Sequence, residues 1–165
     1  MKKFTIGMIF TLLIFFVGSA FAETNWHSHT MVDDMNDSTT TIAFTPTSDY
    51  DGLFTGAMLI AQCNTDGGLD VAIKYKGEVF FDNSVKAEIR FGKGPIESSD
   101  PWYVATDSSA IMSAVLRRSL IKRLINEDQF VIRIHPTYGP AITSKFNTTG
   151  SDELNTVLKA CSMFK

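Results

Sequence analysis

The sequence predicts an α+β, mainly β fold: an antiparallel β-sandwich with two packed helices, closed by one disulfide. Three observations point there. Seven or so short runs alternate apolar and polar residues and are separated by Gly, Pro, Asn and Asp turn residues. Two stretches, near 109–125 and 151–162, carry apolar residues at helical spacing instead. The chain has two cysteines, Cys63 at the end of an early apolar run and Cys161 near the C-terminus, and its first residues look like an export signal.

The signal reading rests on Met1-Lys2-Lys3, an apolar stretch from Ile6 to Val17, and Ala20-Phe21-Ala22, a small-x-small cleavage pattern. Cleavage is expected between Ala22 and Glu23. The alternative is an uncleaved N-terminal anchor, but the apolar stretch is shorter than the 18 or so residues of a spanning helix. No cysteine follows the cleavage point to carry a lipid, so the expected product is a non-lipidated, soluble protein in an oxidising compartment, the periplasm. Loss of Lys2 and Lys3 takes the formal charge from −3 to −5, which argues against a general nucleic-acid or anionic-membrane binder. No other segment is apolar enough to span a membrane.

Residues 23–41 are polar and acidic and read as an extended lead-in; residues 42–165 read as a single domain. Thr41 to Thr45 alternates as a half-buried strand until Pro46 breaks it. Met58 to Cys63 is a strand bounded by Asn64-Thr65-Asp66-Gly67-Gly68, where Asp-Gly is a hairpin signal because both residues tolerate positive φ. Leu69 to Tyr75 places Leu69, Val71, Ile73 and Tyr75 on one face. Val79 to Phe81 reads as a short strand. In the run from Val85 to Phe91, Val85, Ala87, Ile89 and Phe91 point one way and Lys86, Glu88 and Arg90 the other. After a Gly/Pro/Ser loop, Pro101 to Ala105 is a strand leading to Asp107 or Ser108, either able to cap a helix over 109–125. Phe130 to Ile134 and Ala141 to Phe146 are the last strands. Thr149-Gly150-Ser151-Asp152 has capping-box spacing, and Leu154, Val157, Leu158 and Cys161 follow on one helical stripe. A thiol on that buried stripe is well placed to meet Cys63 at a strand end.

No catalytic constellation stands out. His27, His29, Asp33 and Asp34 offer nitrogen and oxygen ligands, but their spacing matches no standard metal motif. Asp107-Ser108-Ser109 and His135 supply the residue types of a serine hydrolase without a nucleophile elbow. A cysteine nucleophile is excluded if both thiols are oxidised. Carboxylate pairs for glycoside hydrolysis depend on spatial separation, which eighteen acidic residues leave open. Arg117, Arg118, Lys122 and Arg123 form a cationic cluster whose ordinary reading is a solvated helix face and whose functional reading is an anionic partner. Asn36-Asp37-Ser38 and Asn147-Thr148-Thr149 fit the glycosylation acceptor pattern, set aside because the leader looks bacterial. No cofactor and no metal are expected.

Several landmarks taken together resemble the TagO/VasI family of periplasmic proteins associated with bacterial type VI secretion. They are Trp26, Asn36-Asp37-Ser38, Leu59-Ile60-Ala61-Gln62-Cys63, Ile89-Arg90-Phe91, Trp102, Ala105-Thr106-Asp107-Ser108, Lys145-Phe146, Gly150 and Ala160-Cys161, in that order. The chain departs at Gln62, where the family tends to have Arg, and at Ser162, where it tends to have an aromatic. The resemblance implies a non-enzymatic accessory protein that binds an envelope or secretion-apparatus protein, or peptidoglycan. The alternatives are a small secreted inhibitor of a lysozyme or protease and a cell-wall hydrolase. Candidate binding residues are Arg90, outward on its strand, Trp102, expected either in the core or as a glycan platform, and Asp107. The ordinary alternative for Arg90 is a cross-strand ion pair with Asp70 or Glu78.

Overall fold

A computed structural model of the protein describes residues 25–35, 37–48 and 56–162; the expected leader with its expected cleavage point at Ala22 and Glu23, and Asn36, lie outside these. Nine strands form one antiparallel sheet: β1 (His27–Asp33), β2 (Ser38–Pro46), β3 (Ala57–Cys63), β4 (Leu69–Tyr75), β5 (Ser84–Phe91), β6 (Glu97–Thr106), β7 (Ser109–Met112), β8 (Gln129–His135) and β9 (Ile142–Asn147). Their order across the sheet is β1-β2-β3-β4-β7-β6-β5-β8-β9. Two helices, α1 (Arg117–Ile125) and α2 (Asp152–Ser162), pack on it.

The sheet folds over so that its two halves are the layers of the expected sandwich. Just past the end of β2, Thr47 bridges Phe146 of β9, and the Ser48 N–H donates to the Lys145 carbonyl at 2.9 Å. In the interior the Tyr75 hydroxyl of β4 meets the Ser144 hydroxyl of β9 at 3.2 Å, although five strand positions separate them in the sheet. Period-two alternation generates the core: Leu59, Ala61 and Cys63 from β3, Val71 and Ile73 from β4, and Phe130, Ile132 and Ile134 from β8 are all buried. The Asp-Gly signal holds, with Gly67 at φ 78° in the turn that joins β3 to β4.

Helix α2 lies over β2 and β3 with Leu154, Val157 and Cys161 buried, and Cys161 is disulfide-bonded to Cys63 with Cα atoms 5.3 Å apart. The box expected of Thr149 and Asp152 does not form, because α2 starts at Asp152 itself and the Thr149 hydroxyl donates to Asn147 Oδ1 at 2.8 Å; the Ser151 hydroxyl donates to the Ile125 carbonyl at 3.1 Å and so joins the start of α2 to the end of α1.

Several expectations are corrected. The helix predicted over 109–125 begins at Arg117, because Ser109–Met112 forms β7, with Ala110 and Met112 inward, between β4 and β6. Asp107 and Ser108 therefore make a hairpin turn and not a helix cap; Leu116 occupies the cap position without a side-chain bond. Residues 79–81 are not a strand: the N–H groups of Val79 and Phe80 both donate to the Asp107 carbonyl, at 2.7 and 2.8 Å, and no ladder is available to them. Finally, the extended lead-in contains strand β1, paired in register with β2 from His27 opposite Phe44 to Asp33 opposite Ser38. β6 also starts earlier than Pro101; its ladder to β5 shifts between Val85 and Ala87, and Pro101 sits in that bulge, where its missing N–H costs no ladder bond.

Candidate functional site: the outward faces of the sheet

With the inward positions committed to the core, the opposite parity of each strand faces outward, and the two halves of the sheet use it differently. On β5, β8 and β9 the outward residues include Lys86, Glu88, Arg90, Val131, Arg133, His135, Thr143 and Lys145. Four of these are permanent cations and one is a carboxylate, so this face is positive on a chain whose formal charge is −3. Glu88 is shared: its Oε2 lies 3.3 Å from Arg133 Nη1 and 3.4 Å from His135 Nε2. Arg133 Nε also donates to the Thr143 hydroxyl at 3.2 Å.

Arg90 differs from Arg133, the other guanidinium of this face. It lies opposite Val131 in the ladder and lines a depression of about 120 Å³ with Glu88, Ile96, Val131, Arg133 and Thr143. Its Nε is buried and has no hydrogen-bond partner among the described residues, and no ion pair engages its guanidinium. The ion pair with Asp70 or Glu78 that would have made Arg90 ordinary does not form: β5 is flanked by β6 and β8, and Asp70 on β4 is bound to Arg117. A desolvated donor without an acceptor is costly. The geometry suits a planar carboxylate, which a guanidinium holds through paired N–H donors.

The first half of the sheet is apolar on its outer side. One row of directly opposed residues crosses it, His27, Phe44, Ile60, Ala72, Ile111 and Tyr103, from β1 through β2, β3, β4 and β7 to β6. Phe44, Ile60, Ala72 and Ile111 are half-buried by one another, and Tyr103 is exposed. His27 stacks obliquely on Phe44, with ring centroids 5.5 Å apart.

The other candidates do not assemble with Arg90. Trp102 is fully buried, opposite Val85 and facing inward, and its Nε1 donates to the Ser99 hydroxyl at 3.1 Å; it is a core anchor and not a glycan platform. Asp107 is exposed in the β6–β7 turn and acts through its backbone carbonyl. The cationic cluster of α1 is divided. Arg117 reaches away to Asp70 and to the carbonyls of Met112 and Leu69, at 2.7 and 3.0 Å. Arg123 grips Glu97 with two 2.7 Å bonds and stacks over the Phe91 ring at 3.8 Å. Within this cluster only Arg118 and Lys122 have no ion pair among the described residues.

Among the described residues three groups have displaced acidities. Burial pushes Tyr75 up to about 12, against a smaller opposing effect from the Ser144 hydrogen bond. The Arg123 hydrogen bonds hold Glu97 below the usual carboxylate range, and Glu97 in turn raises Arg123. All three are structural contacts away from Arg90. Among the described residues no three His, Cys, Asp or Glu side chains converge on a point that could hold a metal, so His27 and His29 do not meet Asp33 and Asp34 in that way. Ser108 lies in the β6–β7 turn while His135 pairs with Glu88 at the end of β8, two separate places.

Sequence reasoning found Arg90 and its outward direction but missed Arg133, Thr143 and Lys145 beside it. Their alternation with Phe130, Ile132, Ile134, Ser144 and Phe146 was a usable signal for direction, whereas the pairing of β5 with β8 joins segments about forty residues apart and leaves no local mark. The apolar row was also missed, although the uninterrupted Ala57-Met58-Leu59-Ile60-Ala61 run announces a strand apolar on both faces.

Fold and site together define a disulfide-closed, antiparallel β domain with one cationic and one apolar outer face. Comparison with family models, with characterised proteins and with solved structures returned no match. Among the described residues no helix is long and apolar enough to cross a membrane.

Proposed function

We propose that the protein is a non-enzymatic accessory protein of the bacterial periplasm that works by binding, and that Arg90 receives a carboxylate of its partner. The observation that carries this reading is the Arg90 guanidinium, which has no acceptor among the described residues, keeps its Nε buried, and belongs to a residue that lines a depression shared with Arg133. A ligand carboxylate would supply the missing acceptor and meet the positive charge of Arg133 nearby. The leader-like first 22 residues and the closed Cys63–Cys161 bond support an oxidising compartment. The resemblance to TagO/VasI proteins supports an envelope or secretion-apparatus partner.

The test uses purified peptidoglycan sacculi, whose stem peptides carry free carboxylates, and chemical cross-linking in intact cells to capture envelope proteins. Arg90→Ala should abolish retention on one of these while leaving the melting temperature nearly unchanged, and Arg90→Lys should restore little because a lysine cannot make the paired contact. Undiminished association by Arg90→Ala on both would reject the reading.

A further inference from the structure

The two edges of the sheet are treated differently. β9, at one edge, is met by Thr47 and Ser48 at its Phe146 and Lys145 positions. Among the described residues β1, at the other, pairs only with β2, and all seven of its residues are exposed. Edge strands are normally blunted by proline, lysine, a bulge or a covering element, because their unpaired N–H and C=O groups recruit other strands. β1 has none of these devices among the described residues: His27-Ser28-His29-Thr30-Met31-Val32-Asp33 contains no proline or lysine, runs in unbroken register, and has no described strand beyond it. It also exposes Met31 at 44% and Val32 at 57%.

We infer that β1 is a dimerisation edge, pairing antiparallel with β1 of a second copy about a two-fold axis at Thr30. An axis perpendicular to the sheet keeps each face on its own side, so opposed residues must share parity; seven residues centred on Thr30 are the one register that uses the whole strand. In that register His27 stands opposite Asp33 of the second copy, and His29 stands opposite Met31. Ser28 stands opposite Val32. The strand is therefore complementary to itself: an imidazole faces a carboxylate at each end, and a thioether faces a second imidazole inside them. His27, His29, Met31 and Asp33 share the outer side of the sheet, because they oppose the outward Phe44, Ile42, Thr40 and Ser38. Of the two carboxylate oxygens of Asp33, only Oδ1 is engaged at home among the described residues, accepting the Met35 N–H at 2.8 Å. The even residues turn toward α2, where the Ser28 hydroxyl donates to Glu153. Pairing two edges would join two nine-stranded sheets into one and remove the unpaired backbone of both.

The register makes the test specific. His27→Cys and Asp33→Cys are prepared separately, both at exposed positions, with the native disulfide intact. Under mild oxidation a mixture of the two should form a covalent dimer on a non-reducing gel, and neither variant alone should do so, since each new thiol would then face a native side chain. No cross-link in the mixture, or equal cross-linking by one variant alone, overturns the proposal. Light scattering of the unmodified protein should give the mass of two chains, and a mass of one chain at the concentrations used also overturns it. His27→Asp places like charges opposite Asp33 twice across the axis and should weaken the dimer roughly tenfold. Adding Asp33→His to that variant should restore it. Unchanged dimerisation by His27→Asp, or failure of the exchanged pair to recover, rejects this register.

Discussion

On β3 the outward side chains are Met58, Ile60 and Gln62; on β5 they are Lys86, Glu88 and Arg90. Both strands place four apolar or sulfur-bearing residues inward, Ala57, Leu59, Ala61 and Cys63 on one and Val85, Ala87, Ile89 and Phe91 on the other, so their contribution to the core is alike. The outward residues are under no such constraint, and there the two halves diverge. The apolar row beginning at Phe44 loses water contact by crowding its own neighbours, while the face around Arg90 keeps a solvated network of shared charges and one guanidinium without a partner among the described residues. Inward positions thus report folding, and outward positions are where the surface chemistry of this protein varies.

The sharpest way to separate the two roles is to remove what ties the first half together. Cys63→Ser or Cys161→Ser should cost about 2–5 kcal/mol, read from chemical denaturation, because the bond joins α2 to β3 and constrains the unfolded chain. An intact protein should show no free thiol by mass spectrometry; two free thiols in exported protein would contradict the bond. Within β3 itself, Leu59→Ala should cost about 2–5 kcal/mol, whereas Ile60→Ala, one residue on and half-buried, should cost about 1 kcal/mol. Equal costs would mean that the apolar outer face is covered in solution.

Tyr75 joins the two halves through Ser144, and its ionisation gives an alkaline test. The unfolded side chain ionises near 10.0, but burial holds the folded one neutral to about 12. Between these values the unfolded chain has released a proton that the folded chain retains, so stability is lost as pH rises through this window and is unaffected below it. The loss should approach about 2–3 kcal/mol by the upper end. Tyr75→Phe, though weaker at neutral pH for want of the hydrogen bond, should lack this part of the alkaline decline.

The smallest effect belongs to the exposed Arg123–Glu97 pair that connects α1 to β6. Glu97 has a depressed folded pKa, so its contribution is present above the ordinary carboxylate range and is lost as pH falls through the folded value. Glu97→Gln should lower the melting temperature only slightly, and added salt should erase the difference. A large effect would show that this pair is shielded from solvent more than its exposure implies.

Residue order alone determined the alternation of the strands, the Asp66-Gly67 turn, the stripe of α2 and the outward aim of Arg90, because each depends on backbone geometry over a few neighbouring residues. The proximity of Cys63 to Cys161 was also legible, from a strand end and a helical stripe in a chain with only two thiols. Tertiary structure decided the rest. Ser109–Met112 satisfies both a helical and an extended pattern, and its place between β4 and β6, where a gap in the ladder needed filling, selected the strand. The neighbours of Arg90 come from β8 and β9, and no local property of β5 specifies which strands lie beside it. Burial of Trp26 and exposure of β1 were likewise set by the position of the sheet edge, which exists only once all nine strands have found their order.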